Sequence, residues 1–322
     1  MRFALMTEPQ QGLSYEELLA LVVAAEKSGF ESFLRSDHYA SFPGEAGLPT
    51  TDAWATLAGL ARETDTITLG TLVSPVTFRL PGNFAKLVTT VDEMSGGRVE
   101  VGLGAGWNDD EHAQQGLPFP EIGERFDMLE EQLAILHGLW TEPDGWSFEG
   151  RHWQVRDARF YPKPVSRPDR RHPKIILGGD GKPRSAALAA RYADEYNLVS
   201  ATAEKAREVF PRVRRAFRDA GRAEDAPICS AMTGVLVAAT EGELRDRVRA
   251  QVEMLGSGDG VDTDAWLAER RRRWIMGTPD EALERIRELE TAGVQRICLQ
   301  DFLPRDLDMI RLLGEQVLPQ AS

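Results

Sequence analysis

Cysteine is nearly missing from this 322-residue chain, which holds only Cys229 and Cys298. Two thiols cannot build a disulfide framework, and no C-x-x-C pair exists to hold a metal or run redox chemistry. Lysine is also scarce, at 6 of the 38 basic residues, and acids outnumber bases 51 to 38. The net charge of −13 argues against nucleic acid as a partner, because neutralising phosphates requires a basic surface. No run approaches the ~20 apolar residues that a membrane helix needs. The segment Met1-Arg2-Phe3-Ala4-Leu5 runs straight into a strand-like stretch, so neither a membrane span nor a signal peptide is expected. H-E-x-x-H and G-x-S-x-G are both absent, which removes the zinc-peptidase and nucleophile-elbow readings. At 42% hydrophobic and 28% charged, the composition is that of an ordinary globular protein, and a cytoplasmic enzyme is the expectation.

What is present is an alternation of strand-like and helix-like periods. Strands are expected at residues 2–6, 30–36, 67–73, 98–104, 174–177, 196–200, 230–239 and 294–300. Helices follow each of them. Ser14-Tyr15-Glu16-Glu17 and Thr278-Pro279-Asp280-Glu281 read as capping boxes that open two of these helices. Near-continuous apolar strands such as residues 67–73 suit a parallel sheet covered on both faces. Eight strands, each followed by a helix, predict an α/β fold: a single (β/α)8 barrel over residues 1–322, with insertions after strands 2, 4 and 7. The second insertion, residues 144–172, carries Trp146, Phe148, Trp153 and Val155 around Glu149-Gly150, the pattern of a hairpin. The third, at residues 256–264, is polar and Gly-rich, the pattern of a mobile loop.

Barrel enzymes work at the carboxyl ends of their strands, and four segments there stand out. Ser36-Asp37-His38 ends the second strand with three polar residues. Thr71-Leu72-Val73 leaves the third. Gly104-Ala105-Gly106 closes the fourth, followed by Trp107 where a Rossmann motif would need glycine, so the dinucleotide reading fails while close approach of a planar ligand stays open. Gly178-Gly179-Asp180-Gly181 joins the fifth strand to a helix, where free amides at the positive end of the helix dipole suit a phosphate; Lys182 and Arg184 add positive charge nearby. Asp109-Asp110-Glu111-His112 has the residue types of a metal site, but adjacent helical side chains diverge, so no metal is expected there. The run Arg270-Arg271-Arg272-Arg273, flanked by Trp266 and Trp274, reads as a solvated helix face or as a clamp for an anion.

Ser36-Asp37-His38, the run from Gly70 to Val73 with Thr77-Phe78-Arg79 and Pro81, and Gly104-Ala105-Gly106-Trp107 with Glu111-His112 together resemble the luciferase-like monooxygenase superfamily. Glu124-Arg125-Phe126, the Gly178 turn and Ala189-Ala190-Arg191-Tyr192-Ala193-Asp194 extend the resemblance over about residues 1–318. The chain looks most like the coenzyme F420-dependent (deazaflavin) branch. The resemblance implies a deazaflavin ring in the barrel mouth, propped by a bulge at Leu72 and Val73, where the family often has a cis peptide. It places Asp37, His38 and Thr71 near the ring and lets Gly104, Ala105 and Gly106 admit it closely. It puts the phosphate at Gly178, Gly179, Asp180 and Gly181. The implied activity is hydride transfer between coenzyme F420 and a small organic substrate. His38 is the candidate catalytic residue, since histidine exchanges protons near neutral pH. FMN with oxygen, as in a monooxygenase, is the alternative, and a barrel that binds a ligand without catalysis is a further one. In the family's glucose-6-phosphate dehydrogenases an acidic Glu follows the Gly-x-Gly; here Trp107 stands there, which implies a flatter, apolar substrate bound by Trp107, with Glu111 a turn further on. The resemblance also implies a homodimer.

Overall fold

Helix starts are set by capping chemistry already visible in the sequence. In the computed structural model, which describes residues 1–321 apart from 224 and 256–259, Ser14 Oγ accepts from Glu17 N at 3.2 Å and Ser14 N donates to Glu17 Oε2 at 2.8 Å. Strand β1 (Arg2–Thr7) thus leads into α1 (Tyr15–Lys27), then β2 (Ser32–Arg35), α2 (Ala53–Glu63), β3 (Thr68–Pro75) and α3 (Pro81–Met94). Next come β4 (Val99–Gly104), α4 (Asp109–Gln115), α5 (Ile122–Thr141) and the hairpin β5 (Trp146–Glu149) and β6 (Gln154–Ala158). The chain continues through β7 (Lys174–Gly178), α6 (Pro183–Tyr192), β8 (Glu195–Leu198), α7 (Ala203–Asp219) and β9 (Ile228–Val237). It ends with α8 (Glu241–Met254), α9 (Thr263–Arg271), β10 (Ile275–Gly277), α10 (Pro279–Thr291), β11 (Arg296–Asp301), α11 (Leu307–Leu312) and α12 (Leu318–Ala321).

Among the described residues, β1, β2, β3, β4, β7, β8, β9 and β11 close into a parallel (β/α)8 barrel, sealed by the β8–β9 pairing. The expected hairpin is present, with Phe148 opposite Val155. One strand was not foreseen: three-residue β10 pairs with the end of β9, where Ile275 faces Val235. Of the loop expected at 256–264, residues 256–259 lie outside the described residues, and Thr263 already opens α9. No described helix is long and apolar enough to cross a membrane.

Most of the apolar core lies between strands and helices. A small inner cluster of Ala4, Met6, Leu34, Leu72, Ile176 and Cys298 fills the barrel itself. Below it the interior is charged. Fully buried Arg296 donates to Glu195 Oε2 and Glu100 Oε2, both at 2.8 Å, and Lys174 Nζ donates to Glu100 Oε1 at 3.0 Å. Burial alone would raise the Glu100 pKa, but Arg296 and Lys174 outweigh it and hold the carboxyl far below its ordinary value. Two cations against two carboxylates make the group neutral, which is how a dry interior tolerates it. All four residues sit at the N-terminal ends of their strands, so this network floors the barrel and leaves the opposite end for a ligand.

Candidate active site

A cavity of about 670 Å³ opens at the carboxyl ends of the strands. One wall of it comes from β3 and β4. The register of β3 on β4 shifts between Thr71 and Ser74, so Leu72 and Val73 bulge into the cavity, and the bond between them is cis. Opposite the bulge, a Cβ on Gly104 would lie 2.8 Å from Val73 Cγ2, so any side chain there would push Val73 out of place. Gly106 adopts φ +80°, a left-handed conformation that glycine holds without strain. Ala105 and Trp107 continue the same wall.

His38 stands on the cavity with its Nδ1 2.9 Å from Glu111 Oε2. A carboxylate can only accept, so the ring hydrogen lies on Nδ1 and Nε2 remains for a ligand. The other oxygen of Glu111 accepts from the backbone of Tyr39 and, at 3.0 Å, of Ala40. Glu111 is buried, and its carboxylate is thereby committed to orienting His38 and the loop behind it. Next to it in sequence, His112 also touches the cavity, but its ring is tied on both sides: Nδ1 donates to Asn108 O and Nε2 accepts from Thr77 Oγ1, both at 2.6 Å. With both nitrogens used, His112 is a structural histidine, and the 109–112 run does not converge.

Asp37 does not reach the cavity lining. It accepts from Arg79 at 2.5 and 3.1 Å and from Ser74 Oγ at 2.6 Å, and Arg79 also pairs with Asp52 at 2.5 Å. Burial works against the charge on Arg79, yet Asp37 and then Asp52 hold its pKa above the ordinary value. The cluster anchors the loop that carries His38. Thr71 is likewise buried behind the wall, bonded to Gly102 O at 3.2 Å.

At the other end, Gly178 and Gly179 line the cavity while Asp180 and Gly181 lie outside its lining. Gly179 takes φ +135° and Gly181 φ +63°. Among the described residues no side chain caps α6 at Lys182; Pro183 has no N–H, so the Arg184 and Ser185 amides are the first-turn donors that could meet a ligand. Arg184 does not serve this turn; it pairs with Asp127 on α5 and lies over Phe126. Lys182, named from the sequence, acts on Asp180 through its charge, and two cations that the sequence did not single out join it: Lys205 Nζ is 2.8 Å from Asp180 Oδ1, and Arg212 donates to Asp180 O at 3.4 Å. The hydrogen bond from Lys205 lowers the Asp180 pKa.

Asn197, Glu8 and Gln300 also escaped sequence reading. Asn197 lines the cavity, donates through Nδ2 to Ser230 Oγ at 2.9 Å, and leaves its buried Oδ1 without a partner among the described residues. Such an orphaned acceptor fits an N–H on a ligand ring. Glu8 accepts from Gln10 Nε2 at 2.7 Å and Gln300 Nε2 at 2.6 Å. The available signal was position: each stands at or just past the carboxyl end of a barrel strand. The arginine run is not in the lining. Arg270 lies over Trp266 at 3.8 Å, and Arg271 and Arg273 pair with glutamates, as on a solvated face.

A cavity at this end of a closed barrel, with one histidine held by a buried acid and a glycine-walled slot beside it, defines a (β/α)8-barrel enzyme acting on a ligand in the barrel mouth. Its sequence matches the model for luciferase-like monooxygenases over residues 1–296. The chain belongs to that family of oxidoreductases. An F420-dependent glucose-6-phosphate dehydrogenase from Microbacterium testaceum is 29% identical over 321 residues, covering 94% of this chain and 93% of that protein. Among solved structures, an F420-dependent secondary alcohol dehydrogenase in complex with an F420-acetone adduct aligns at a TM-score of 0.83 and 21% identity, covering 100% of this chain and 99% of that one. A monooxygenase from Streptomyces bottropensis aligns at 0.84 and 24% identity over the whole of both chains. At those identities the two structures speak for the fold.

Proposed function

We propose that the protein transfers a hydride between coenzyme F420 and a small organic substrate held over the ring in the barrel mouth. The observation that carries this reading is the His38–Glu111 pair facing the same cavity as the Leu72–Val73 bulge and the Gly104–Gly106 wall. Relatives named for F420 dependence across nearly the whole chain favour that cofactor over FMN. The residues fit it: Asn197 Oδ1 awaits a donor, and a Cβ on Gly179 would find nothing nearer than Tyr196 Oη at 3.5 Å, which leaves room beside the turn.

When bound, the deazaflavin ring supplies one carbon that gives or takes a hydride. The chain does the rest. Leu72, Val73 and Gly104 would hold the ring, and the Arg184 and Ser185 amides at the start of α6 would hold its phosphate. Glu111 fixes the tautomer of His38, so Nε2 takes the proton from a substrate oxygen as the hydride leaves, or returns it in the reverse direction. By family likeness the chain works as one unit over residues 1–322, in a cytoplasmic homodimer.

Titration of purified protein with oxidised and reduced coenzyme F420 and FMN, followed by absorbance, tests the reading. Tighter binding of coenzyme F420 supports it. Tighter binding of FMN, with oxygen consumed on substrate addition, replaces it with a monooxygenase.

A further inference from the structure

We infer that the substrate is an uncharged alcohol with an apolar body, or the matching carbonyl compound in reverse, and not a phosphorylated sugar. The inference rests on the hydride-transfer reading and deepens it. Its first ground is charge. The titratable side chains lining the cavity are Glu8, His38, Glu111 and His112; neither lysine nor arginine is among them. Residues 224, 256–259 and 322, outside the described set, are Glu, Gly, Ser, Gly, Asp and Ser, and supply no cation either.

Both histidines on the lining are already engaged: His112 lies between Asn108 O and Thr77 Oγ1, and His38 Nδ1 answers Glu111. Arg79, in the loop behind the wall, is spent on Asp37 and Asp52. A substrate phosphate would therefore meet two carboxylates without a partner of its own. Desolvating an unpaired anion costs several kcal/mol. The cofactor end differs, with Lys205 and Arg212 beside the 178–181 turn.

The second ground is shape. His38, Phe42 and Trp107 meet edge to face, with ring centroids 4.5 Å apart for His38–Phe42, 5.2 Å for Phe42–Trp107 and 5.8 Å for His38–Trp107. Trp107 is 66% exposed and Val199 is 43% exposed, both on the cavity. Apolar surface left open beside a catalytic histidine is surface for a substrate to cover. In the oxidising direction the carbinol C–H bond breaks and its electron pair goes with the hydride to oxidised coenzyme F420. The O–H bond breaks and its proton goes to His38 Nε2. The carbon–oxygen double bond forms, and the cofactor leaves reduced.

The test uses enzyme loaded with coenzyme F420, its occupancy measured first by titration. Linear alcohols of increasing length and glucose-6-phosphate are compared by kcat/KM. The expected result is a rise of about threefold to fourfold per added methylene over the first few, the value of burying one CH₂, with glucose-6-phosphate at least a hundredfold below the best alcohol. Trp107→Ala, compared at saturating cofactor, should flatten that rise. A flat series, or glucose-6-phosphate as the better substrate, overturns the inference with the cofactor reading intact. Failure to bind coenzyme F420 instead sinks the cofactor reading. Calorimetry of the same compounds then still decides the substrate class: sugar phosphate binding tighter than the alcohols, and lost in Trp107→Ala, overturns it.

Discussion

Gly179→Val is the substitution that separates a phosphate site from general damage to the barrel mouth. Gly179 sits at φ +135°, outside the range that side-chain-bearing L-residues adopt. Its added Cβ would meet nothing closer than Tyr196 Oη at 3.5 Å and Ser185 Oγ at 3.8 Å, so the cost is backbone strain and not collision. Holding a residue in such a conformation costs about 1–3 kcal/mol, and the turn can relieve it only by rotating. Gly179 N donates to Asn197 O at 3.2 Å and Gly181 N to Tyr196 Oη at 2.9 Å, so rotation breaks those bonds and moves the free amides that start α6. A ligand phosphate should then lose at least tenfold in affinity, or about 1.4 kcal/mol. The assay is equilibrium titration of wild type and variant with the intact phosphorylated cofactor and with a fragment lacking the phosphate. The fragment should lose much less. Equal losses for the two ligands would refute the phosphate assignment.

Two other outcomes follow from buried charge. Arg296→Met strips the partner from Glu100 and Glu195 in the barrel floor and should destabilise the protein by about 3–5 kcal/mol in denaturant titration, the cost of orphaning a buried ion; a loss under about 1 kcal/mol would mean that Lys174 alone satisfies both acids. Asp301 is fully buried, and burial pushes its pKa up to about 7 from 3.8. The folded state therefore keeps a proton that the unfolded chain releases, so this group's contribution to stability falls as pH rises from about 4 to about 7. Roughly three pH units at about 1.4 kcal/mol each make that fall on the order of 4 kcal/mol. Asp301→Asn can keep the bond from Leu303 N and should remove that decline relative to wild type in melts at pH 5 and pH 8; parallel pH profiles would show that Asp301 titrates normally.

The barrel was legible because its strands are unbroken apolar runs and its helices carry caps, as at Ser14 and Thr278. The hairpin was legible for a similar reason, alternation around Glu149-Gly150. Strand β10 was not, since three residues after an arginine run carry too little pattern to separate them from a helix end. The charged floor was invisible because Glu100 and Arg296 are 196 residues apart, and only barrel closure brings them together. The mouth divides the same way. Glycine clusters and a polar triplet mark strand ends, so His38, Gly104 and Gly179 could be named from local sequence. Which way each side chain turns could not. Asp37 faces Arg79, Glu111 faces His38, and Arg184 leaves for Asp127, all through partners far along the chain. Asn197 and Gln300 have no local signature beyond their place at strand ends.

The central claim is that this cavity moves a hydride while His38 manages the proton. Single-turnover reduction of bound coenzyme F420, compared in wild type and His38→Ala, tests it most directly. The expected rate is roughly 10²- to 10⁴-fold lower in the variant, in protein that stays folded and binds the cofactor, with some loss of stability from the unpaired Glu111 carboxylate. An undiminished rate in a variant that still binds the cofactor would contradict it and leave His38 as a residue that only braces the loop.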